Sequence, residues 1–483
     1  MARQENLKEK TIKGFVWAYS ERFAAYVIQM LVSIILARLI EPEHYGIISI
    51  VTVMITFADI FVSSGFGTSL VQKQDADELD FNTAFTCGFI MSCILYGILF
   101  ISAPYIEKFY KMSELSIVIR IMAIRLPIAS INTIQHAKIQ KNMEFKKFFF
   151  STLIGTLISA VVGIVLALMG FKIWALVGQY LTNSIIDTIV LLLACRWFPK
   201  LQLSISRAKK IMGFGWKVLA QNLIFTLTGN IQTLVIGKRF SSAELAFYDN
   251  GVKIPSAVLS NIYGTVGKVI FPALSSIQDD YVKRKNIIRQ AVQLCTFILS
   301  PVAVGLLVTA EPVITLLYTD KWLPCVPFLQ IYCLRFLSRP LTTIAQSATM
   351  SVGRSDIILK MEVILNICLF STLFVAVYIF NSVNMIAWGG VIEAGLAVIL
   401  HTMNLKRIIG YTYKEQMRDT LPSYLSGLIM GIFVYCERAF INNTAVLLFV
   451  QCCTGIIVYV GLAYVINRNS ILYIMGLVKK VQS

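Results

Sequence analysis

The sequence predicts an all-α polytopic membrane protein of about 14 transmembrane helices: two six-helix lobes in a parallel repeat, then two C-terminal helices. Three observations carry this reading. Charged residues make up only 14% of the 483-residue chain and hydrophobic residues 57%, with a mean hydropathy of +0.72. A soluble domain carries roughly 25% charged residues, so this chain cannot cover a globular surface. Apolar stretches near the roughly 20 residues that a helix needs to cross hydrocarbon recur along its whole length. Loop cations fall unequally on alternate connections, as expected where cytoplasmic loops retain Lys and Arg. The composition excludes disorder, collagen and a secreted disulfide scaffold. The net charge of +17 is explained by membrane loops, with no nucleic acid.

The first six apolar segments span 14–40, 45–70, 82–104, 116–136, 148–170 and 173–195. The polar stretch ahead of segment 1 has no signal-peptide cleavage site, so that segment is expected to stay as a helix. Lys73 follows segment 2, and Pro127 interrupts segment 4. Lys138, Lys141, Lys146 and Lys147 mark the next turn, and Arg196, Lys200, Arg207, Lys209 and Lys210 follow segment 6. The next six segments, 211–236, 251–276, 288–309, 326–348, 357–380 and 385–403, repeat that order. Here Lys283, Arg284, Lys285 and Arg289 follow segment 8, Pro340 interrupts segment 10, and Lys406, Arg407, Lys414 and Arg418 follow segment 12. Segments 421–440 and 443–466 complete the chain. One set of loops, with both termini, holds 26 cations, and the alternate set holds 8. Both termini are therefore expected in the cytoplasm.

Two local matches indicate the repeat. Gly14-Phe15-Val16-Trp17 corresponds to Gly213-Phe214-Gly215-Trp216, and Arg125-Leu126-Pro127-Ile128 to Ser338-Arg339-Pro340-Leu341. Both copies open at a cytoplasmic loop, so they are related by an axis along the membrane normal. The expected organisation is an N-terminal lobe over 1–205, a second lobe over 206–410, and two helices with a cytoplasmic tail over 411–483.

No P-loop, GxSxG or HExxH motif is present, and no large extramembrane loop could hold a catalytic site, so an enzyme is not expected. Ten cysteines lie mostly in apolar stretches, none in a CxxC, and there are three histidines. No metal site and no cofactor are expected. The informative residues are nine cations inside the apolar segments: Arg22, Arg120, Arg125, Lys217, Lys253, Lys268, Arg335, Arg339 and Lys360. Each costs roughly 2.5–3.5 kcal/mol at a helix centre facing lipid. Arg120, Lys253 and Lys360 lie near helix ends and can snorkel. The other six are expected to face a hydrated interior, or to pair with acids such as Glu21, Asp59, Asp187, Glu362 or Glu393.

Spacing sharpens this expectation. Arg22, Tyr26, Gln29 and Ser33 form one helical stripe, and Lys217, Gln221, Thr228 and Gln232 form another. Arg335 and Arg339 are four residues apart. Candidate substrate contacts are Arg22, Gln29, Arg125, Lys217, Gln221, Lys268, Arg335 and Arg339. Guanidinium groups among them suit phosphate, so the substrate is expected to be anionic. Asp59, Asp187, Glu362 and Glu393 are candidate sites for a coupling ion, H⁺ or Na⁺. Pro127 and Pro340 are candidate hinges.

Four short motifs add a family resemblance. Phe271-Pro272-Ala273-Leu274-Ser275-Ser276-Ile277-Gln278-Asp279-Asp280 resembles the stretch that closes helix 8 in Wzx-type polysaccharide flippases, near the WzxC branch. Leu70-Val71-Gln72-Lys73, Thr319-Asp320-Lys321-Trp322 and Gly353-Arg354-Ser355-Asp356 are similar to other signatures of that family. Ala246 departs from it, standing where the second lobe commonly has a glycine matching Gly46. The family belongs to the multidrug/oligosaccharidyl-lipid/polysaccharide exporter superfamily. The resemblance implies alternating access in a bacterial cytoplasmic (inner) membrane and translocation of undecaprenyl-pyrophosphate-linked oligosaccharide for O-antigen, capsule or exopolysaccharide. It also implies a polysaccharide polymerase and glycosyltransferases as partners. A peptidoglycan lipid-precursor flippase and a multidrug or cation antiporter are the alternatives, with a membrane glycosyltransferase or polysaccharide polymerase further off.

Overall fold

The computed structural model describes residues 25–63, 66–73, 75–142, 144, 146–275, 277 and 280–467. Among these residues the secondary structure is helical, with no strand. The chain forms two compact units, Met1–Ala246 and Phe247–Ser483. The first contains α1 (Ala25–Leu39), α2 (Pro42–Ser63), α3 (Phe66–Gln72), α4 (Glu78–Tyr110), α5 (Leu115–Met122), α6 (Arg125–Asn142), α7 (Lys146–Leu168), α8 (Ile173–Cys195) and α9 (Ile205–Arg239). Helix α10 (Ser242–Ser275) runs from the end of the first unit into the second. The second unit continues with α11 (Tyr281–Val308), α12 (Ala310–Tyr318), α13 (Val326–Leu337), α14 (Arg339–Ser351), α15 (Ser355–Val375), α16 (Val383–Ile409), α17 (Tyr413–Cys436) and α18 (Thr444–Ile466).

Ten helices among the described residues are long and apolar enough to cross a membrane. The other four predicted segments are helical too, but each falls short for a physical reason. Only 25–39 of segment 1 is described. Segment 7, as α9, carries Arg207, Lys209, Lys210 and Lys217 in its first half. Segment 10 is divided at Ser338 into α13 and α14, each shorter than a span. Segment 13, as α17, opens with Lys414, Glu415, Arg418 and Asp419. Segment 4 is likewise divided, at Ala123–Ile124, into α5 and α6. Both interruptions fall two to four residues before the prolines at 127 and 340, in the turn where a proline ring crowds the preceding carbonyls and supplies no amide.

The helix ends are set by local chemistry. Asp77 caps α4 by accepting from the Asp80 amide at 2.9 Å, while the Asp80 side chain accepts from the Asp77 amide at 3.1 Å. Thr412 and Glu415 form the same reciprocal box at the start of α17. Gly410 closes α16 with φ +59°, a left-handed turn that glycine adopts freely.

Each unit has its own core. In the first, Phe66, Leu70, Phe81, Phe85, Ile134, Trp197 and Ile211 bring α3, α4, α6 and α9 together. In the second, Leu274, Ile288, Val292, Ile344, Leu405 and Ile409 join α10, α11, α14 and α16. Met430, Val434 and Tyr459 dock α17 and α18 onto α11, where the Tyr459 hydroxyl donates to the Phe297 carbonyl at 2.7 Å.

One end of each unit is pinned by a buried carboxylate among the cations of the Lys/Arg-rich loops. Asp80 is fully buried, 2.5 Å from Lys73 Nζ and 3.2 Å from Arg207 Nη1. Arg207 also contacts Asp77, and that hydrogen bond holds the Asp77 carboxyl well below the usual carboxylate range. In the second unit Asp419 accepts from Arg289 at 2.7 and 2.8 Å, from Gln293 at 2.8 Å and from the Tyr411 hydroxyl at 2.9 Å. Lys285 reaches Glu415 at 2.7 Å and the Gly410 carbonyl at 2.9 Å.

Gly46 on α2 is fixed by close approach: a Cβ there would lie 1.9 Å from the Ser242 carbonyl oxygen. Gly97 on α4 has nothing within 4 Å of the same position. Gly46→Ala is therefore expected to lower the melting temperature of the purified protein. Gly97→Ala should leave it unchanged or raise it, since Ala is favoured over Gly in a helix by roughly 0.5–1 kcal/mol. Equal melting temperatures for the two variants would contradict this packing.

Candidate functional site

Some of the ionisable residues inside the apolar helices meet in the interior of each unit, while Lys217, Lys253, Lys360 and Glu362 are exposed. In the first unit, Asp59 on α2, Arg125 at the start of α6 and Asp187 on α8 line one cavity of about 450 Å³. The spacing that brings them there is helical. Ile55, Asp59 and Ser63 recur every four residues on α2; Arg125, Ala129, Asn132 and His136 follow one face of α6. Arg125 Nε donates to Ser184 Oγ at 2.8 Å, and its guanidinium lies 5.6 Å from the Tyr180 ring centroid. Asp59 is its electrostatic neighbour. Asn132 Nδ2 donates to Asp187 Oδ2 at 3.2 Å. Two oxygens at this cavity, Asp59 Oδ1 and Asn132 Oδ1, are buried without a hydrogen-bond partner.

In the second unit, Arg335 in the last turn of α13 faces Glu393 on α16, with Nη2 donating to Oε2 at 2.9 Å. Both side chains are largely buried, 16% and 15% exposed. Arg335 Nη1 also donates to the Tyr332 hydroxyl at 3.3 Å, and that oxygen is 2.5 Å from the Tyr248 hydroxyl. The result is one buried network, Glu393–Arg335–Tyr332–Tyr248. Gly390 makes room for it, because a Cβ there would sit 3.1 Å from the guanidinium carbon. Arg339, first residue of α14, has Glu362 and His401 as its electrostatic neighbours. The two arginines of segment 10 thus share a broken segment but face different acids.

The remaining candidates are placed as follows. Gln29 is exposed on α1, and Lys217 and Gln221 are exposed on α9. Helix α9, where the second copy of the sequence repeat opens, packs on α2, α3 and α4 of the first unit. Arg22 lies outside the described residues, as does the side chain of Lys268. Pro127 and Pro340 stand in the first turns of α6 and α14, beside the two interruptions. Arg120, expected to snorkel, donates to the Phe100 carbonyl at 3.1 Å and sits 4.5 Å from that ring. The loop anchors Asp80 and Asp419 were not among the candidates. The reciprocal spacing of Asp77 and Asp80 ahead of an apolar run signals a helix start, but nothing local to either carboxylate names its distant cation.

Breaking a buried ion pair by removing one partner costs about 3–5 kcal/mol, because the other charge is left uncompensated. Arg335→Ala and Glu393→Ala should each lower the melting temperature clearly. The double variant should lose less than the sum of the two. Strict additivity in that cycle would show that the two side chains do not interact.

Comparisons with known proteins give the family and the fold. The lipopolysaccharide biosynthesis protein WzxC of Escherichia coli (strain K12) is 22% identical over 430 residues, covering 87% of this chain and 86% of that protein. The teichuronic acid biosynthesis protein TuaB of Bacillus subtilis (strain 168) is 22% identical over 435 residues, 89% of each chain. Among solved structures, the lipid II flippase MurJ in an inward closed conformation matches with a TM-score of 0.73 at 15% identity, covering 94% of this chain and all of that one. An inward-facing multidrug resistance transporter of the MATE family matches with a TM-score of 0.62 at 12% identity, over 80% of this chain and 95% of that one. The helical fold is therefore one used by membrane transporters. The profile of the family described as "Polysaccharide biosynthesis protein" matches residues 35–327, more than half of the sequence, and the chain belongs to that family.

Proposed function

We propose that this protein is a flippase that moves a polyprenyl-pyrophosphate-linked oligosaccharide across a bacterial cytoplasmic membrane by alternating access. The observation that carries the reading is the family match, with relatives named for lipopolysaccharide and teichuronic acid biosynthesis along nearly the whole chain. The interior chemistry supports it. A transporter of a charged, hydroxyl-rich headgroup needs polar groups inside the membrane, and each unit holds such a group in its interior, Asp59–Arg125–Asp187 in the first and Arg335–Glu393 in the second. Arg22, Lys217, Arg335 and Arg339 are the cations assigned to the pyrophosphate. The lipid tail stays in the bilayer while the glycan crosses through a hydrated path.

In this reading both termini and the loops near 140, 205, 285 and 410 are cytoplasmic, and the substrate enters from that side. Glu362 and Glu393 are the places for a coupling H⁺ or Na⁺. A polymerase and glycosyltransferases supply and consume the glycan. A lipid-precursor flippase of peptidoglycan synthesis is the second reading, favoured by the fold shared with MurJ. Rescue of a strain lacking its peptidoglycan-precursor flippase would select it.

The test is surface display of polysaccharide in a strain lacking its own flippase, with membrane abundance followed by immunoblot. Arg335→Lys should keep part of the display, because a point charge survives while the bidentate fork is lost. Arg335→Ala should reduce display strongly. Normal display at normal abundance for the alanine variants of all four cations would remove them from substrate binding.

Orientation is checked separately. Ile205→Cys should resist a membrane-impermeant thiol reagent in intact cells. Ready labelling would reverse the topology.

A further inference from the structure

We propose that the 450 Å³ cavity of the first unit is a recognition site for an uncharged sugar ring, with Asp59 and Asn132 accepting hydrogen bonds from its hydroxyls. This rests on the glycan cargo proposed above and assigns part of that cargo a place. Four observations point to a sugar in preference to a coupling ion or the pyrophosphate.

The first is size. A bound proton needs no volume and a bare cation little, whereas 450 Å³ is room for roughly 15 waters at their liquid volume of ~30 Å³ each. It falls within the ~300–1,000 Å³ range of small-molecule sites. The second is unmet hydrogen bonding. Asp59 Oδ1 and Asn132 Oδ1 are buried acceptors without a donor, and a buried acceptor left unmet costs about 1–3 kcal/mol. A ring of hydroxyl groups supplies several donors at once.

The third is charge. Asp59 and Asp187 outnumber Arg125, so the lining repels a pyrophosphate, and the guanidinium works against capture of a bare cation. A neutral, donor-rich ligand meets neither objection. The fourth is preorganisation. Arg125 is held on Ser184 at 2.8 Å and Asn132 on Asp187 at 3.2 Å, so these side chains are fixed by neighbours. Carboxylate, amide and hydroxyl groups converging from α2, α6 and α8 match a ligand whose polar groups are spread around a ring.

The experiment uses the full-length protein in lipid nanodiscs and saturation-transfer-difference NMR. The probes are free D-glucose, D-galactose and N-acetyl-D-glucosamine at millimolar concentration. At least one is expected to receive saturation from the wild-type protein. That signal should fall at least about fivefold with Asp59→Ala and with Asn132→Ala, the scale of one lost hydrogen bond in a polar site. Asn132→Gln keeps both the amide acceptor and the amide donor, and should retain part of the signal. Gly97→Ala, at a position on α4 with nothing within 4 Å, should retain it as well.

Absence of transfer to all three sugars, equal signal in both alanine variants, or displacement of the sugar by added sodium would overturn the sugar site. The last outcome would make the cavity a cation site. The same preparations are scored for glycan display in cells. A wild-type protein that restores display yet binds none of the sugars overturns this inference alone. One that binds sugar at Asp59 and Asn132 but never restores display overturns the cargo reading instead.

Discussion

An ionised side chain inside a membrane must be given a partner or a route to water, and this requirement organises both units. Arg335 meets it through Glu393, 58 residues away in sequence, and through Tyr332, whose hydroxyl is paired with that of Tyr248. Arg125 meets it through Ser184, the Tyr180 ring and the neighbouring Asp59. At the ends of the helices the same rule holds with the signs exchanged. Asp80 and Asp419 are the buried charges there, and the loop cations close on them. Stability and interior polarity are therefore coupled: the polar groups of each interior are the ones that tie helix to helix.

That coupling shapes how an anionic headgroup could be handled. A guanidinium already opposite a carboxylate presents little net charge, so any anion approaching Arg335 would have to share or displace Glu393. Sharing is the less costly course, because a carboxylate stripped of its partner in a low-dielectric interior pays a large desolvation penalty. The interrupted segments are relevant here. Arg125 begins α6 and Arg339 begins α14, each directly after a helix break and near a proline. Cations at such breaks can shift with a small backbone change, whereas a cation in mid-helix moves only with the whole rod.

Most of the helical architecture is readable from the sequence, because membrane spans are specified by length and apolarity and need little tertiary context. The interruptions of segments 4 and 10 follow from Pro127 and Pro340. The span count is harder to read. Helices α9 and α17 carry cations at one end, and α13 and α14 are too short singly. Among the described residues composition thus marks ten clear spans where spacing predicts fourteen. Partners of the interior charges are the least legible part. Arg335 and Glu393, or Arg289 and Asp419 at 130 residues apart, meet only after folding. The gathering of Asp59, Arg125 and Asp187 around one cavity likewise depends on how α2, α6 and α8 pack. Sequence spacing identifies a polar face on each helix, but it does not say which faces meet.

The most direct measurement is translocation itself. Proteoliposomes containing the purified protein and a fluorescently tagged polyprenyl-pyrophosphate oligosaccharide would be exposed to a membrane-impermeant quencher. The protein is expected to make the inner-leaflet substrate accessible at a rate well above that of protein-free vesicles, and to leave an ordinary tagged phospholipid in place. Substrate that remains protected as long as in empty vesicles, or a phospholipid that crosses equally fast, would contradict the assignment of this chain as a flippase for lipid-linked glycans.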